Sequence, residues 1–236
     1  MARAGFLAAL LVGLAAVVVF RQAPSPETPR DRIVAALPSA TLPETDRIEV
    51  LALGTSLTAR ARWPARLETA LADCGFTAAH VTVSARPGAG SDEGPALVAA
   101  AGPGPFEVAL IEFAVNDADL WDGVGKAASV ANHRQTIRAL RDRHPDVAVV
   151  LVTTNPVAGL QRLKRPRLMA YNDLYVRLAQ EENASLFDGA ARWVGATPSR
   201  TWLTDGLHPD PEAEAALYTQ PLAAIVAGIF GRSCAP

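Results

Sequence analysis

A serine, a carboxylate–histidine pair and two kinds of oxyanion donor occur in this chain in four short pieces. They are Gly54-Thr55-Ser56-Leu57-Thr58, Pro87-Gly88-Ala89-Gly90-Ser91, Val115-Asn116-Asp117 and Asp205-Gly206-Leu207-His208. Together they supply what a serine nucleophile needs in acyl transfer: a hydroxyl, a base to take its proton, a carboxylate to orient the base, and N–H groups to hold the developing oxyanion. Each piece alone has an ordinary explanation. Ser56 and the threonines beside it are residues that cap helices. Asp205 to His208, taken alone, reads first as a plain surface turn, Gly88 as a turn residue and Asn116 as a cap or turn residue. All four occurring in this order, each where a strand should end, carry the reading of a serine esterase.

The roles follow from the chemistry. Asp205 lies three residues before His208, so one turn of chain lets its carboxylate accept from one ring nitrogen while the other faces Ser56. Gly88 allows close approach of its backbone N–H, Asn116 offers a side-chain amide, and the Ser56 N–H is the third donor. Asp117 and Asp119 suggest a metal pair, but no matching His or Cys cluster accompanies them, and they read as loop and cap residues. Of the other histidines, His133 and His144 fall on a helix that reads as solvent-facing.

The elements that must position these residues alternate from Arg47 onward. Short apolar runs at Arg47–Leu53, Ala79–Ser84, Glu107–Phe113, Val147–Thr153 and Ala184–Phe187 read as five strands. Helical spacing marks Trp63–Cys74, Ser91–Ala101 with Ser91 as cap, Val124–His144, Pro166–Asn183 and Glu212–Phe230. Strands separated by helices imply a parallel sheet covered on both faces, with ligands beyond the carboxyl ends of its strands. The segment Arg162-Leu-Lys-Arg-Pro-Arg167 reads as a solvated basic loop, with contact to an acidic sugar as its functional alternative.

Before the domain lies Ala4–Phe20, a run without charged or strongly polar residues, flanked by Arg3 and Arg21. Residues 1–21 are expected to be a membrane anchor or an export signal, since the run just reaches spanning length and no good cleavage site follows it. Residues 22–46 carry five prolines and read as a linker; residues 47–236 form one domain. Arginines lie on both sides of the apolar run, so the positive-inside rule does not favour export of the domain. A periplasmic location is expected because such runs most often serve export. Cys74 and Cys234 either pair, as an exported protein permits, or remain unrelated thiols. The net charge of −2 gives no reason to expect nucleic acid as a partner.

With these residues in hand, the chain resembles the SGNH hydrolases, the superfamily of the GDSL esterases and lipases. The first block stands here as Gly54-Thr55-Ser56-Leu57, with Thr where the name-giving motif has Asp. Gly88 carries the second block, aligned through Ser91 in preference to Gly90. Asn116 carries the third, with Ala114 where Gly is usual, and Asp205-x-x-His208 the last. The resemblance implies a flavodoxin-like three-layer α/β/α sandwich around a five-stranded parallel sheet, and a Ser56–His208–Asp205 triad. It implies oxyanion donors at Ser56, Gly88 and Asn116, and no cofactor. It leaves open a carbohydrate acetylesterase, a lysophospholipase or thioesterase, an acyltransferase with the same triad, and a binding module that keeps only the fold. With no cap domain visible, an open site and a short acyl group on a small-molecule or glycan alcohol are favoured.

Overall fold

The computed structural model describes residues 28–36, 46–196 and 202–234. The expected anchor, and the parts of the expected linker at 22–27 and 37–45, lie outside them. Among the described residues no helix is long and apolar enough to cross a membrane.

Five parallel strands form the sheet, in the order β2-β1-β3-β4-β5. They are β1 (Arg47–Gly54), β2 (Ala78–Ala85), β3 (Val108–Glu112), β4 (Ala148–Val152) and β5 (Ser185–Phe187). The helices are α1 (Ser56–Ala59), α2 (Trp63–Ala72), α3 (Gly94–Ala100), α4 (Ala114–Asp117), α5 (Lys126–Arg143), α6 (Gly159–Lys164), α7 (Leu168–Glu181), α8 (Gly189–Gly195), α9 (Pro211–Glu214) and α10 (Gln220–Ile229). One π-helical turn, Ala215–Thr219, joins α9 to α10.

Alternate strand residues feed two cores, as the period of two requires. Leu51, Leu53, Ile111 and Leu151 pack with α3, α5 and α7. Ile48, Val50, Leu110 and Val152 pack on the other face with α2, α8 and α10. The central strands β1, β3 and β4 are buried almost throughout, which is why their sequences are near-continuous apolar runs. The expected three-layer sandwich is present.

Several local expectations change. Ser91 does not cap a helix: Ser91–Glu93 is a 3-10 turn, and the Ser91 N–H donates to Asp117 Oδ1 at 2.8 Å. The basic segment at 162–167 is not simply a loop; its first residues complete α6, and the Arg165 guanidinium is buried against Asp119 at 3.2 Å. His133 is buried on α5 and not solvent-facing, with Nε2 at 2.7 Å from the Tyr175 hydroxyl and Nδ1 at 2.7 Å from the Ser129 carbonyl. A carbonyl only accepts, so Nδ1 carries the proton and Nε2 accepts from Tyr175. Burial pushes the His133 pKa down, in keeping with that neutral ring.

Residues 28–36, expected as tether, are held on the domain. Arg32 makes an antiparallel bridge to Leu186, Val34 N–H donates to Ser185 Oγ at 2.9 Å, and Ala36 N–H to the Ile229 carbonyl at 2.8 Å. Arg30 pairs with the buried Asp188 at 2.7 Å and with Asp173 at 2.8 Å. This strap covers the β5 edge, which would otherwise present unpaired backbone groups. Cys74 and Cys234 form a disulfide.

Candidate active site

The turn after β1 is built around close approach. A Cβ on Gly54 would stand 2.6 Å from Thr58 Oγ1 and 2.7 Å from Glu112 Oε2. Only glycine fits between these groups. Thr55 then caps α1, its Oγ1 accepting from Leu57 N–H at 3.1 Å. The capping role weighed for the serine thus falls to Thr55, and the Ser56 hydroxyl is left for another partner.

That partner is His208. Its Nε2 lies 2.8 Å from Ser56 Oγ, and its Nδ1 lies 2.8 Å from Asp205 Oδ2. A carboxylate accepts, so Nδ1 carries a proton, and in the neutral ring Nε2 is left to accept from the serine hydroxyl. Asp205 Oδ1 accepts from Leu207 N–H at 3.0 Å and His208 N–H at 2.8 Å, which makes the segment a turn closed on its own carboxylate. Burial raises the Asp205 pKa, but the hydrogen bonds from the His208 backbone and ring outweigh it and hold the pKa down to about 2. Asn155 Nδ2 donates to the Leu207 carbonyl at 2.9 Å, and Ala158 N–H to the Gly206 carbonyl at 2.7 Å, pinning the loop to the chain beyond β4.

Asn116 sits on α4, just past β3. Its Nδ2 donates to the Ala89 carbonyl at 2.9 Å, so the amide is oriented by the loop after β2. Asp117 fastens those two segments together, accepting from Ser91 N–H and, at 2.6 Å, from the Ser129 hydroxyl. Asp119 is committed to Arg165, whose Nε donates to the Val115 carbonyl at 2.7 Å. The two aspartates therefore serve different neighbours. Gly88 lies exposed in the turn with φ of +85°, a conformation that favours glycine, and a Cβ there meets nothing within 4 Å. Gly90 is tighter: its Cβ would come within 2.7 Å of Asp92 Oδ1.

Glu112, the last residue of β3, is absent from the sequence candidates. Its buried carboxyl accepts from Thr55 N–H at 3.1 Å, Thr55 Oγ1 at 2.9 Å and Thr58 Oγ1 at 3.1 Å. Burial pushes its pKa up to about 8 against the effect of these hydrogen bonds. A signal for it exists: a carboxylate closes an otherwise apolar strand, in register with the Gly54 turn. Tyr171 is buried with its hydroxyl donating to the Val124 carbonyl at 2.7 Å, while Trp121 is exposed. A cleft of about 630 Å³ opens beside Ser56 and His208, bounded by Leu57, Arg60, Arg62 and Pro211.

The sequence matches the model of the GDSL-like Lipase/Acylhydrolase family over residues 52–216. Similar solved structures include one described as a "putative arylesterase" from Agrobacterium tumefaciens C58, at 25% identity and TM-score 0.64, covering 78% of this chain and 100% of that one. A carbohydrate acetylesterase from Sinorhizobium meliloti is 18% identical with TM-score 0.62, over 78% of this chain and 100% of the other. A lipase/acylhydrolase from Enterococcus faecalis is 18% identical with TM-score 0.66, over 80% and 100%. A search of the curated proteins finds no match.

Proposed function

From a chain that belongs to the GDSL-like lipase/acylhydrolase family and is an ester-hydrolysing enzyme, we propose a serine esterase that removes short acyl groups, acetyl above all, from a carbohydrate or other cell-envelope alcohol. Ser56 is the nucleophile, His208 the base and Asp205 the group that orients it. Ser56 Oγ attacks the ester carbonyl as its proton passes to His208 Nε2. The oxyanion is met by the Ser56 and Gly88 N–H groups and the Asn116 amide. Collapse expels the alcohol, which takes the proton from His208, and leaves an acyl-Ser56. Water, deprotonated by the same nitrogen, then releases the acid and restores the hydroxyl.

The observation that carries this reading is the unbroken series from Ser56 Oγ through the His208 ring to Asp205 Oδ2, 2.8 Å at each step. The short acyl group is supported by the open cleft beside Ser56 and by acetylesterases among the structural neighbours. We place the enzyme at the periplasmic face of the inner membrane, held by Ala4–Phe20. The disulfide supports an oxidising compartment.

The test is hydrolysis of p-nitrophenyl acetate, butyrate and octanoate by the full chain and its variants. Release should be fastest for acetate. Ser56→Ala and His208→Ala should each lower kcat on the order of 10⁴-fold or more. Asn116→Ala should lower it roughly 10²- to 10³-fold as a lost oxyanion donor. Full turnover in a folded Ser56→Ala protein would sink the mechanism. No release by the folded wild type, with transfer to a sugar acceptor, would make it an acyltransferase.

A further inference from the structure

The chain enters this domain at the same end of the sheet as the proposed site. The strap runs antiparallel to β5: Arg30 meets Asp188 just past the carboxyl end of the strand, and Val34 reaches Ser185, its first residue. Ser56, Asn116 and His208 lie at that carboxyl edge too. Beside them stands α6. The carbonyl of Gly206, in the histidine loop, takes the Ala158 N–H immediately before it, and the carbonyl of its last residue, Lys164, takes the Leu120 N–H at 2.9 Å. The helix therefore bridges the histidine loop and the segment that follows Asn116.

None of the residues of α6 is buried. Leu160 is 80% exposed and Leu163 68%, on one helical face; Trp121 is 67% exposed, with Lys164 Nζ 5.0 Å from its ring centroid. Leu120, beside it, is also exposed. Arg162 and Lys164 have no carboxylate partner among the described residues. Large apolar side chains scattered singly need no explanation, but these share one lip of one site.

We propose that this lip seats on the surface of an anionic bilayer and turns the mouth of the site toward it. Leucine and tryptophan flanked by arginine and lysine are the residues that bind membrane interfaces, the apolar groups entering the headgroup boundary and the cations meeting anionic lipids. The tether decides the orientation. Residues 21–27 alone separate Phe20 from Thr28, a reach of roughly 25 Å when fully extended. That reach starts from the strap's catalytic-end terminus, where Arg30 also holds Asp173 on α7, one turn from the exposed Met169. The face closest to the anchor is thus the face with the lip. This orientation rests on the anchor proposed above, and it makes the substrate an ester presented at the membrane surface, borne by a lipid or by a glycan attached there.

The experiment uses the full chain reconstituted in vesicles of phosphatidylcholine and phosphatidylglycerol, with and without brominated acyl chains. Trp63 and Trp193 are buried and Trp202 is half-buried, and all three are common to both proteins, so the difference between wild type and Trp121→Phe isolates the exposed indole. Brominated lipid should quench wild type more than Trp121→Phe. The double change Leu160→Glu, Leu163→Glu should abolish that difference. It should also slow hydrolysis of a vesicle-borne acyl ester several-fold, while leaving p-nitrophenyl acetate in solution unaffected. A chain that stays in the vesicles through an alkaline carbonate wash with Trp121 unquenched overturns the lip and keeps the anchor. Release by carbonate from vesicles that had quenched Trp121 supports the lip and removes the anchor. Release without quenching overturns both. Self-association in the absence of lipid, lost in the double variant, overturns the proposal by giving the lip to a second copy. Quenching needs no turnover, so the Ser56→Ala protein reports on the lip even if the esterase reading fails.

Discussion

At Asp205 two duties meet in one carboxylate: Oδ1 closes the turn by accepting two backbone N–H groups, and Oδ2 holds the His208 ring. With its pKa held to about 2, below an ordinary 3.8, it stays ionised throughout the mildly acidic range. The stability it contributes is therefore present above about pH 4 and lost only as pH falls toward 2. Asp205→Asn separates the duties. The amide oxygen keeps the turn, but the –NH₂ then faces Nδ1 and favours the wrong tautomer, so kcat should fall roughly 10²- to 10⁴-fold, while the melting temperature drops only modestly through loss of the carboxylate's charge. Equal losses of activity and of fold would show that the turn, not the tautomer, matters. Glu112 has the opposite sign. Its pKa is raised from 4.5 to about 8, so the folded state holds a proton that the unfolded chain has released. Its contribution is whole below about pH 4.5 and declines as pH rises through 8. Glu112→Gln copies the protonated acid, with –NH₂ donating to Thr55 Oγ1 and the oxygen still accepting from Thr55 N–H. Its urea midpoint should lack the part of the wild-type decline between pH 5 and 8 that Glu112 causes; parallel pH profiles for the two proteins would refute this. The residues of the proposed triad could be singled out in the sequence because their types carry the chemistry and their neighbours in sequence are characteristic. Glu112 was not, because its function lies in contacts to residues more than fifty positions away.

Among the elements, the strands were legible because burial on both faces leaves them as unbroken apolar runs, and the large helices because one face is apolar at helical spacing. The strap and α6 were not. Neither has a hydrophobic period, and each is held by hydrogen bonds and ion pairs that only the folded domain offers. His133 escapes the sequence for a related reason: a polar residue on a polar helix looks solvent-facing until Tyr175 and Ser129 are seen to satisfy both ring nitrogens. The strap changes how the domain should be cut. A chain starting at Asp46 loses the Arg32–Leu186 bridge and uncovers the β5 edge, and it leaves Asp188, whose side chain is wholly buried, without its guanidinium. Removing one member of such a pair costs about 2 kcal/mol or more, since a charge remains in low dielectric. A chain starting at Thr28 should therefore unfold at higher urea than one starting at Asp46, and Arg30→Ala should account for much of the difference. Identical midpoints would show the strap to be passive. The shorter chain should also be the more prone to aggregate, measured by light scattering at matched concentration.

Over the whole molecule, the proposed catalytic groups and the covalent closure lie at opposite ends of the sheet. Ser56, Asn116 and His208 gather at the carboxyl edge, and the clamp gathers at the amino edge. There Cys74, just beyond α2, is joined to Cys234, and Arg232 pairs with Asp46 while its guanidinium donates to the Gly75 carbonyl. The Thr77 N–H donates to the Asp46 carbonyl where β1 and β2 begin, which fixes the clamp at that edge. The composition permitted the disulfide without requiring it. Pairing depended on the last helix returning antiparallel across the sheet to bring residue 234 beside the end of α2, a long-range relation that no local pattern encodes. The bond spans a sequence separation of 160 residues. In the chain-entropy model, cross-linking so long a loop stabilises the fold by about 5 kcal/mol, through loss of freedom in the unfolded chain. For a domain of this size that is a melting shift of roughly 10 °C or more. Because the clamp touches none of the proposed triad, reduction or Cys234→Ser should lower the melting temperature by that order while kcat on p-nitrophenyl acetate at 20–25 °C stays within about twofold. A fall in kcat matching the loss of stability would show that the amino edge governs the geometry of the site. An unchanged melting temperature would mean that the apolar contacts of Phe76 with Phe230 and of α10 with α2 already hold the two ends of the chain together.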